Sequence, residues 1–319
     1  MAERYPEIEP YEHGMLDVGD GNLVYWETCG NPEGKPAVVV HGGPGGGCGP
    51  GLRQYFDPAK YRVVLFDQRG CGRSTPNVLD PATDMSGNTT EHLLGDFELL
   101  REHLGIESWL LFGGSWGSTL GLVYAERNPH RVTEIVLVGV TTGRHSELDW
   151  ITRGIGILFP EAFERFRDGV PAAERDGDLG RAYSRLLEDP DPAVRAKAAK
   201  DWCDWENAIL MVQADDVPLP RFEDPDHRYA FARMVTHYFG NRCFLPDGLV
   251  LREAAKLAGI PAVLVHGRLD LSGPLITPWE LLKVWPDAEL VVIEGGGHSS
   301  GPGMSETLVA ATDRFATRP

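Results

Sequence analysis

The sequence predicts an α/β fold in which a mostly parallel sheet is covered by helices and interrupted by an inserted helical cap. Three observations lead to this prediction. Short apolar runs rich in β-branched residues recur along the chain, as buried parallel strands require. Stretches with apolar residues at helical spacing lie between these runs, and such alternation is typical of a doubly wound sheet. Between residues 143 and 245 the strand-like runs stop, and charged helical patterns rich in aromatic residues replace them.

The first part of the chain contains a predicted hairpin and four predicted strands. Residues 15–27 alternate between polar and apolar side chains around a Gly-Asp-Gly turn, which predicts an antiparallel hairpin. Apolar runs predict strands at residues 36–40, 61–66, 109–112 and 134–138. Helical spacing of apolar residues predicts helices at residues 91–104 and 118–126.

The middle of the chain is predicted to be the cap. Its aromatic side chains suit a lid packed over a pocket, and they include Trp150, Phe159, Phe163, Trp202, Trp205, Tyr229, Tyr238 and Phe239. Two more strands are predicted after it, at residues 261–265 and 289–293. The predicted organisation is therefore a sheet domain made of residues 1–142 and 246–319, with a cap at residues 143–245 between its two parts.

The composition excludes several classes of function. The chain has 319 residues, and its 47 acidic side chains against 30 Lys and Arg give a formal net charge of −17. This charge repels phosphate backbones and anionic lipid, so neither nucleic acid nor a membrane surface is expected as a partner. The five cysteines contain no Cys-x-x-Cys pair, so neither a disulfide framework nor a zinc site is indicated.

The cellular location is predicted from two further features. Residues 1–14 contain acidic residues and prolines, whereas a signal peptide needs a continuous apolar stretch there. No later apolar run reaches the length that spans a membrane. Together with the reduced state expected of the cysteines, these features predict a cytoplasmic protein.

The strongest local motif indicates a nucleophilic serine. Residues 113–117 read Gly-Gly-Ser-Trp-Gly, directly after a predicted strand and before a predicted helix. This is the context of a nucleophile elbow, where a serine on a sharp, strained turn needs neighbours without Cβ atoms. Ser115 is therefore the predicted nucleophile, and the fold class becomes that of an α/β hydrolase.

An acid and a base follow in the chain order that this fold requires. Asp270 comes just after the predicted strand at residues 261–265, and His298 follows the strand that ends at residue 293. Because ligands bind at the carboxyl ends of parallel strands, both side chains are expected close to Ser115. The prediction is that His298 acts as the base and that Asp270 orients its imidazole.

Acyl transfer also requires N–H donors for the developing oxyanion. The backbone amide of Trp116, next to the nucleophile, is one predicted donor. Residues 41–47 read His-Gly-Gly-Pro-Gly-Gly-Gly after an early strand, which is similar to the glycine-rich oxyanion loop of esterases and lipases, and Gly43 is the second predicted donor. A phosphate-binding loop is the rival interpretation, but residues 41–47 lack its Gly-Lys-Ser/Thr ending.

Four motifs together resemble the proline iminopeptidases, which are α/β hydrolases that cleave N-terminal proline from peptides. The resemblance covers nearly the whole chain and rests on residues 41–47, 67–74 (Asp-Gln-Arg-Gly-Cys-Gly-Arg-Ser), 113–118 and 295–299 (Gly-Gly-Gly-His-Ser). It implies a helical cap, catalytic roles for Ser115, Asp270 and His298, and no metal or other cofactor.

The resemblance also implies substrate-binding positions, and the chain departs from the family at two of them. Glu206 matches one of the cap carboxylates that hold the substrate's free amino group. Val235 stands where the second carboxylate is expected, and Thr141 stands where an aromatic residue packs on the proline ring. The amine anchor and the proline pocket are therefore both altered.

Three functions remain open on this evidence. The first is an aminopeptidase that acts on small peptides and favours N-terminal proline. The second is an amidase, esterase or acyltransferase that uses the same triad on a specialised small-molecule amide or ester. The third is a ligand-binding protein that has kept the fold without catalysis.

Overall fold

An eight-stranded sheet forms the centre of the computed structural model, which describes residues 4–210 and 219–317. The strands are β1 (Pro10–Asp17), β2 (Leu23–Gly30), β3 (Lys35–Val40), β4 (Tyr61–Phe66), β5 (Trp109–Ser115), β6 (Val132–Val140), β7 (Ala262–Gly267) and β8 (Ala288–Ile293). Their order in the sheet is β1-β2-β4-β3-β5-β6-β7-β8. The β1–β2 and β2–β4 pairs are antiparallel, and the other five are parallel.

Alternate residues along each central strand enter two apolar clusters on opposite faces of the sheet. In β3, Val38 and Val40 pack on one face, while Ala37 and Val39 pack on the other. Because both faces are covered, the strand is apolar throughout, as its sequence predicted. The predicted α/β architecture with a mostly parallel sheet is thereby confirmed: every predicted strand coincides with or overlaps an observed one.

Helices cover the sheet and form a separate layer above it. They are α1 (Thr90–His103), α2 (Trp116–Arg127), α3 (His145–Thr152), α4 (Pro160–Asp168), α5 (Leu179–Leu187), α6 (Pro192–Leu210), α7 (Pro225–Gly240), α8 (Leu249–Glu253), α9 (Ile276–Val284) and α10 (Met304–Phe315). Helix α2 packs on β5 and β6 on one face, and α10 packs on β6 and β7 on the other. In the described part of the chain, no helix is both long enough and apolar enough to span a membrane.

Helices α3 to α7 lie in the segment that was predicted to be the cap. Of residues 143–210 and 219–245, none belongs to a strand. These helices share their own apolar cluster, in which Phe166 stacks on Tyr183 and Trp205 with ring centroids 4.7 and 5.1 Å apart. The domain boundaries at residues 143 and 245 stay a prediction.

Candidate active site

The serine elbow is formed where β5 ends at Ser115 and α2 begins at Trp116. Ser115 has φ 55° and ψ −126°, a strained conformation for a residue with a side chain. Its carbonyl oxygen accepts hydrogen bonds from Ser118 Oγ at 2.6 Å and from Thr141 Oγ1 at 2.9 Å. A Cβ atom on Gly117 would lie 2.1 Å from the Val40 carbonyl oxygen, so only glycine lets α2 pack this closely against β3.

Asp270 and His298 meet beyond the ends of β7 and β8. His298 Nδ1 lies 2.7 Å from Asp270 Oδ2. The other carboxylate oxygen, Oδ1, accepts hydrogen bonds from Ser272 Oγ at 2.9 Å and the Gly273 amide at 2.8 Å. The buried carboxylate is therefore held in one orientation, and it directs His298 Nε2 away from itself.

The electrostatics of this pair favour an ionised Asp270. Burial by itself would raise the pKa of Asp270, but the neighbouring His298 and the hydrogen bonds to the carboxylate leave that pKa below its ordinary value. For His298, burial acts to lower the pKa, while the charges of Asp270 and Glu206 and the hydrogen bond to Asp270 raise it overall. His298 is consequently a stronger base than a free histidine.

Ser115 and His298 line the same cavity, which has a volume of about 610 Å³. Within residues 4–210 and 219–317, no hydrogen bond joins their side chains. Such bonds are often long in a free enzyme and tighten when substrate binds, so the arrangement is compatible with a nucleophile and its base.

The two predicted oxyanion donors also lie at this cavity, because both Gly43 and Trp116 line it. The glycine-rich loop packs directly against the elbow: a Cβ atom on Gly42 would lie 2.9 Å from the Gly114 carbonyl oxygen and 3.2 Å from Ser115 Cβ. Gly43 has φ 120°, which favours glycine.

Glu206 brings a carboxylate from α6 to the cavity. It is 8% exposed, and its Oε1 accepts a hydrogen bond from Trp202 Nε1 at 3.2 Å. Burial raises the pKa of Glu206, although the Trp202 bond and the positive charges of His298 and Arg221 oppose this rise. A cation close to Glu206 would therefore stabilise the ionised form of its carboxylate.

The other two predicted substrate-binding positions differ from each other. Thr141 lines the cavity, where its hydroxyl braces the Ser115 carbonyl and lies 2.9 Å from Thr119 Oγ1. Val235 is not among the residues that line the cavity. It lies on α7, fully buried in the apolar cluster of the cap helices, where burial of its apolar area stabilises an aliphatic side chain.

Several cavity residues were not found by sequence reasoning. Arg221 lines the cavity near Glu206, and so do Phe222 and Phe231. Its Cζ atom lies 5.5 Å from the ring centroid of Phe222 and 5.7 Å from that of Phe231. Phe231 precedes Val235 by one helical turn, so helical spacing could have suggested that the two share a face of α7. Arg221 precedes α7 in a short 3₁₀ turn, and no periodic signal marks it.

Comparison with known proteins identifies the family. A family model described as "alpha/beta hydrolase fold" matches residues 35–301. A probable proline iminopeptidase of Streptomyces coelicolor is 58% identical over 98% of this chain and 97% of its own length. The proline iminopeptidase of Xylella fastidiosa strain 9a5c is 46% identical over 99% of this chain and all of its own length.

A solved structure extends the comparison to the fold. An esterase from Exiguobacterium antarcticum superposes with a TM-score of 0.64 over 95% of this chain and 99% of its own, at 16% sequence identity. That identity supports the shared fold alone. The resemblance drawn from the four motifs is confirmed by the full-length relatives. The chain belongs to the α/β hydrolases and, among them, to the proline iminopeptidase family.

Proposed function

We propose that the protein is a serine aminopeptidase that releases an N-terminal residue, proline preferentially, from small peptides. The observation that carries this proposal is that Ser115, His298 and the buried carboxylate of Glu206 line one cavity. A hydrolytic serine and an acidic group that can hold an amine are the two requirements of the reaction. The proline iminopeptidases of S. coelicolor and X. fastidiosa, which match over almost their whole length, support the preference for proline.

The proposed reaction begins with proton transfer. His298 Nε2 accepts the proton of Ser115 Oγ, and Oγ attacks the carbonyl carbon of the first peptide bond. The backbone amides of Gly43 and Trp116 donate hydrogen bonds to the resulting oxyanion. His298 then donates its proton to the departing nitrogen as the C–N bond breaks, which leaves the first residue esterified to Ser115. Water, deprotonated by His298, releases that residue by the same sequence.

Asp270 prepares His298 for both proton transfers. His298 Nδ1 carries the proton and donates a hydrogen bond to Asp270 Oδ2 at 2.7 Å, so Nε2 has its lone pair available. The pKa of Asp270 is lowered, so its carboxylate stays ionised when His298 becomes imidazolium. The negative carboxylate then stabilises the positive charge on the imidazolium. The role of Asp270 is therefore orientation and charge stabilisation.

Glu206 is the proposed amine anchor, and it is a single carboxylate. Hydrogen bonds to charged groups contribute roughly 1.5–3 kcal/mol each. Val235 supplies no second acid, and Asp204, on the exposed side of α6, pairs with Lys200 at 2.5 Å. Asp215 and Asp216, the next acidic residues along the chain after Glu206, lie outside the described residues. We therefore expect weaker retention of the substrate's ammonium than two carboxylates would give.

An apolar wall of the cap supplies the proposed contact surface for the first residue. Thr141 offers no aromatic ring, whereas Phe222, Phe231 and Phe239 line the same cavity. Burial of apolar area stabilises a complex by about 25 cal/mol per Å², so packing a pyrrolidine ring against these phenylalanines favours binding of an N-terminal proline. These phenylalanine side chains can also pack against other apolar first residues. We therefore expect the preference for an N-terminal proline to be relaxed.

A second function is favoured by one specific observation. Arg221 lines the same cavity as Glu206, and its positive charge opposes the binding of an ammonium there. This arrangement favours amidase, esterase or acyltransferase activity on a small molecule that lacks a free amine. A non-catalytic binding role is the third alternative, and absence of any reaction with a serine-directed phosphonate would support it.

The testing experiment compares wild type and Ser115→Ala on aminoacyl arylamides led by the prolyl compound, with N-acetylated and simple ester substrates beside them. Ser86→Ala, which replaces an exposed serine in the loop before α1, is the matched control. We expect hydrolysis of the free-amine prolyl substrate that is lost on acetylation and in Ser115→Ala only. Ester cleavage alone, still dependent on Ser115, would replace the aminopeptidase proposal by the second function.

We also propose a cytoplasmic location, because all five cysteines are free and buried, as in a reducing compartment. Fractionation of cells followed by immunodetection tests this, and recovery with the membrane or in the secreted fraction would contradict it.

A further inference from the structure

We infer that Gln68 is a positioning residue that joins the two halves of the oxyanion hole. This inference rests on the proposed acyl-transfer chemistry at Ser115. Gln68 belongs to the Asp-Gln-Arg-Gly motif, which follows β4 and has no part in the mechanism described above. Its side chain is buried, with 3% exposed, and lies between the elbow and the glycine-rich loop.

The first half of the hole is held through the indole of Trp116. Trp116 Nε1 donates a hydrogen bond to Gln68 Oε1 at 3.0 Å. The indole also packs against Tyr238 of α7, with ring centroids 4.8 Å apart. The backbone amide of Trp116 is one proposed oxyanion donor. Contacts that hold the indole in place therefore also restrain the backbone of Trp116.

The second half is held through His41, the first residue of the glycine-rich loop. Gln68 Nε2 donates to the His41 carbonyl oxygen at 3.0 Å, and the backbone amide of Gln68 donates to His41 Nε2 at 3.0 Å. Because Nε2 accepts, the imidazole proton lies on Nδ1, which donates to the Gly42 carbonyl oxygen at 2.9 Å. Burial lowers the pKa of His41, which favours this neutral form.

The Gly42 carbonyl sets the direction of the Gly43 amide. Besides the bond from His41 Nδ1, this carbonyl accepts a hydrogen bond from the Gly46 amide at 3.0 Å. In a planar trans peptide unit, C=O and N–H point in opposite directions. The bond between Gly42 and Gly43 is trans, so two donors on the carbonyl direct the Gly43 N–H to the opposite side. Gln68 therefore contacts both halves of the hole: its side-chain amide bonds Trp116 Nε1 and the His41 carbonyl oxygen, and its backbone amide bonds the imidazole that holds the Gly42 carbonyl.

The test compares Gln68→Met, which keeps the length of the side chain and removes its donor and acceptor, with wild type. We expect kcat to fall about 10- to 100-fold, less than the roughly 100- to 1,000-fold typical when a donor is removed. KM should change less than about twofold, because the ground-state substrate gains little from the hole. Affinity for prolyl boronic acid, whose adduct with serine is tetrahedral, should fall in parallel with kcat, and affinity for proline should not change.

Two further variants separate positioning from general stability. Trp116→Phe removes the same hydrogen bond from the other side, so its loss of kcat and that of Gln68→Met should not add in the double variant. Tyr61→Phe removes a buried hydrogen bond, from its hydroxyl to the Thr312 carbonyl, at the opposite end of the sheet. This control should lower the midpoint of thermal unfolding and leave kcat as in wild type.

Three outcomes would overturn the inference: unchanged kcat in a folded Gln68→Met, additive losses in the double variant, or equal losses of affinity for boronic acid and proline. If Gln68→Met does not fold, Trp116→Phe alone carries the test. Rates on 4-nitrophenyl acetate are measured beside the prolyl substrate, so a wrong substrate assignment leaves the test of Gln68 intact. Absence of any Ser115-dependent turnover would instead contradict the proposed function.

Discussion

Glu206 shows how one buried side chain connects substrate binding with the basicity of the catalytic histidine. Its carboxylate raises the pKa of His298, and the positive charges of His298 and Arg221 in return oppose the rise that burial causes in the pKa of Glu206. A substrate ammonium placed beside Glu206 adds a further positive charge. Binding is therefore expected to favour the ionised carboxylate and to weaken the hold of His298 on its proton.

Glu206→Gln is expected to raise KM for free-amine prolyl substrates about 10- to 100-fold, the equivalent of roughly 1.5–3 kcal/mol for a hydrogen bond to a charged group. The glutamine side chain has the shape of the glutamate and still offers Trp202 Nε1 an acceptor, but it carries no negative charge. Steady-state kinetics with the N-acetylated substrate is the control, and its KM should not change. An equal effect on both substrates would show that Glu206 does not bind the amine.

The pH dependence of kcat/KM should report the raised pKa of His298. Only the unprotonated imidazole accepts the serine proton, so activity falls as pH decreases through that pKa. Since Asp270 and Glu206 raise it, the acid limb should lie above the ordinary value of about 6.5. In Glu206→Gln the limb should shift to lower pH. A wild-type limb at or below the ordinary value would be inconsistent with this account.

Sequence reasoning was most informative for residues whose chemistry depends on strand ends. Asp270 and His298 were assigned because each follows a late strand, and the structure brings their side chains within hydrogen-bonding distance. Arg221 and Val235 belong to the cap, where helices cross at angles that periodicity does not determine. Which face of α7 meets the cavity depends on tertiary packing, so a substitution at Val235 could be noticed but its burial could not.

At the scale of elements, the elbow depends on close contact between α2 and β3. A Cβ atom added at Gly117 would overlap the Val40 carbonyl oxygen, at a separation of 2.1 Å. This oxygen belongs to backbone, which cannot rotate out of the way as a side chain can. Helix α2 can therefore lie this close to β3 only because residue 117 has no side chain.

Gly117→Ala is expected to lower the free energy of unfolding by about 3 kcal/mol, at the upper end of overpacking costs. Gly95→Ala is the matched control: Gly95 is exposed within α1, and its Cβ atom would meet nothing within 4 Å. This control should stabilise the protein by about 0.5–1 kcal/mol, because alanine favours the helix. Urea unfolding of both variants measures the difference, and equal stabilities would contradict the packing argument.

The strands were predicted to different accuracy for a physical reason. Central strands such as β4 are buried on both faces, and their bounds agree with the apolar run at residues 61–66. The hairpin was predicted at residues 15–27, whereas β1 begins at Pro10 and β2 ends at Gly30. In this edge strand Tyr11, Glu12 and His13 are all exposed, so no alternation marks its first half.

At the scale of the molecule, α7 joins the cap helices to the sheet. Arg233 of α7 is 2% exposed, and its guanidinium donates to the carbonyl oxygens of Val78, Asp80, Pro81 and Thr83 in the loop that precedes α1. The same guanidinium pairs with Glu188 at 2.6 Å. One side chain thus satisfies one buried and three partly buried backbone acceptors, and so ties α7 to the loop before α1.

Arg233→Met is expected to lower the free energy of unfolding by about 1–3 kcal/mol, because it leaves the buried Val78 carbonyl and three partly buried carbonyl groups without their donor. Arg314→Met, which removes a half-exposed pair with Glu289, should change it by less than about 1 kcal/mol. Calorimetry of each variant should give one transition if cap and sheet unfold together. Two separated transitions in wild type would show that α7 does not couple them.

The groups that line the cavity come from widely separated parts of the chain, from the glycine-rich loop after β3 to His298 beyond β8. Contacts between such distant residues require long loops to close and form late in folding. Recovery of catalysis after dilution from denaturant should consequently lag behind recovery of helical circular dichroism. Turnover thus reports when the residues that line the cavity, from the loop after β3 to His298, have all reached their places.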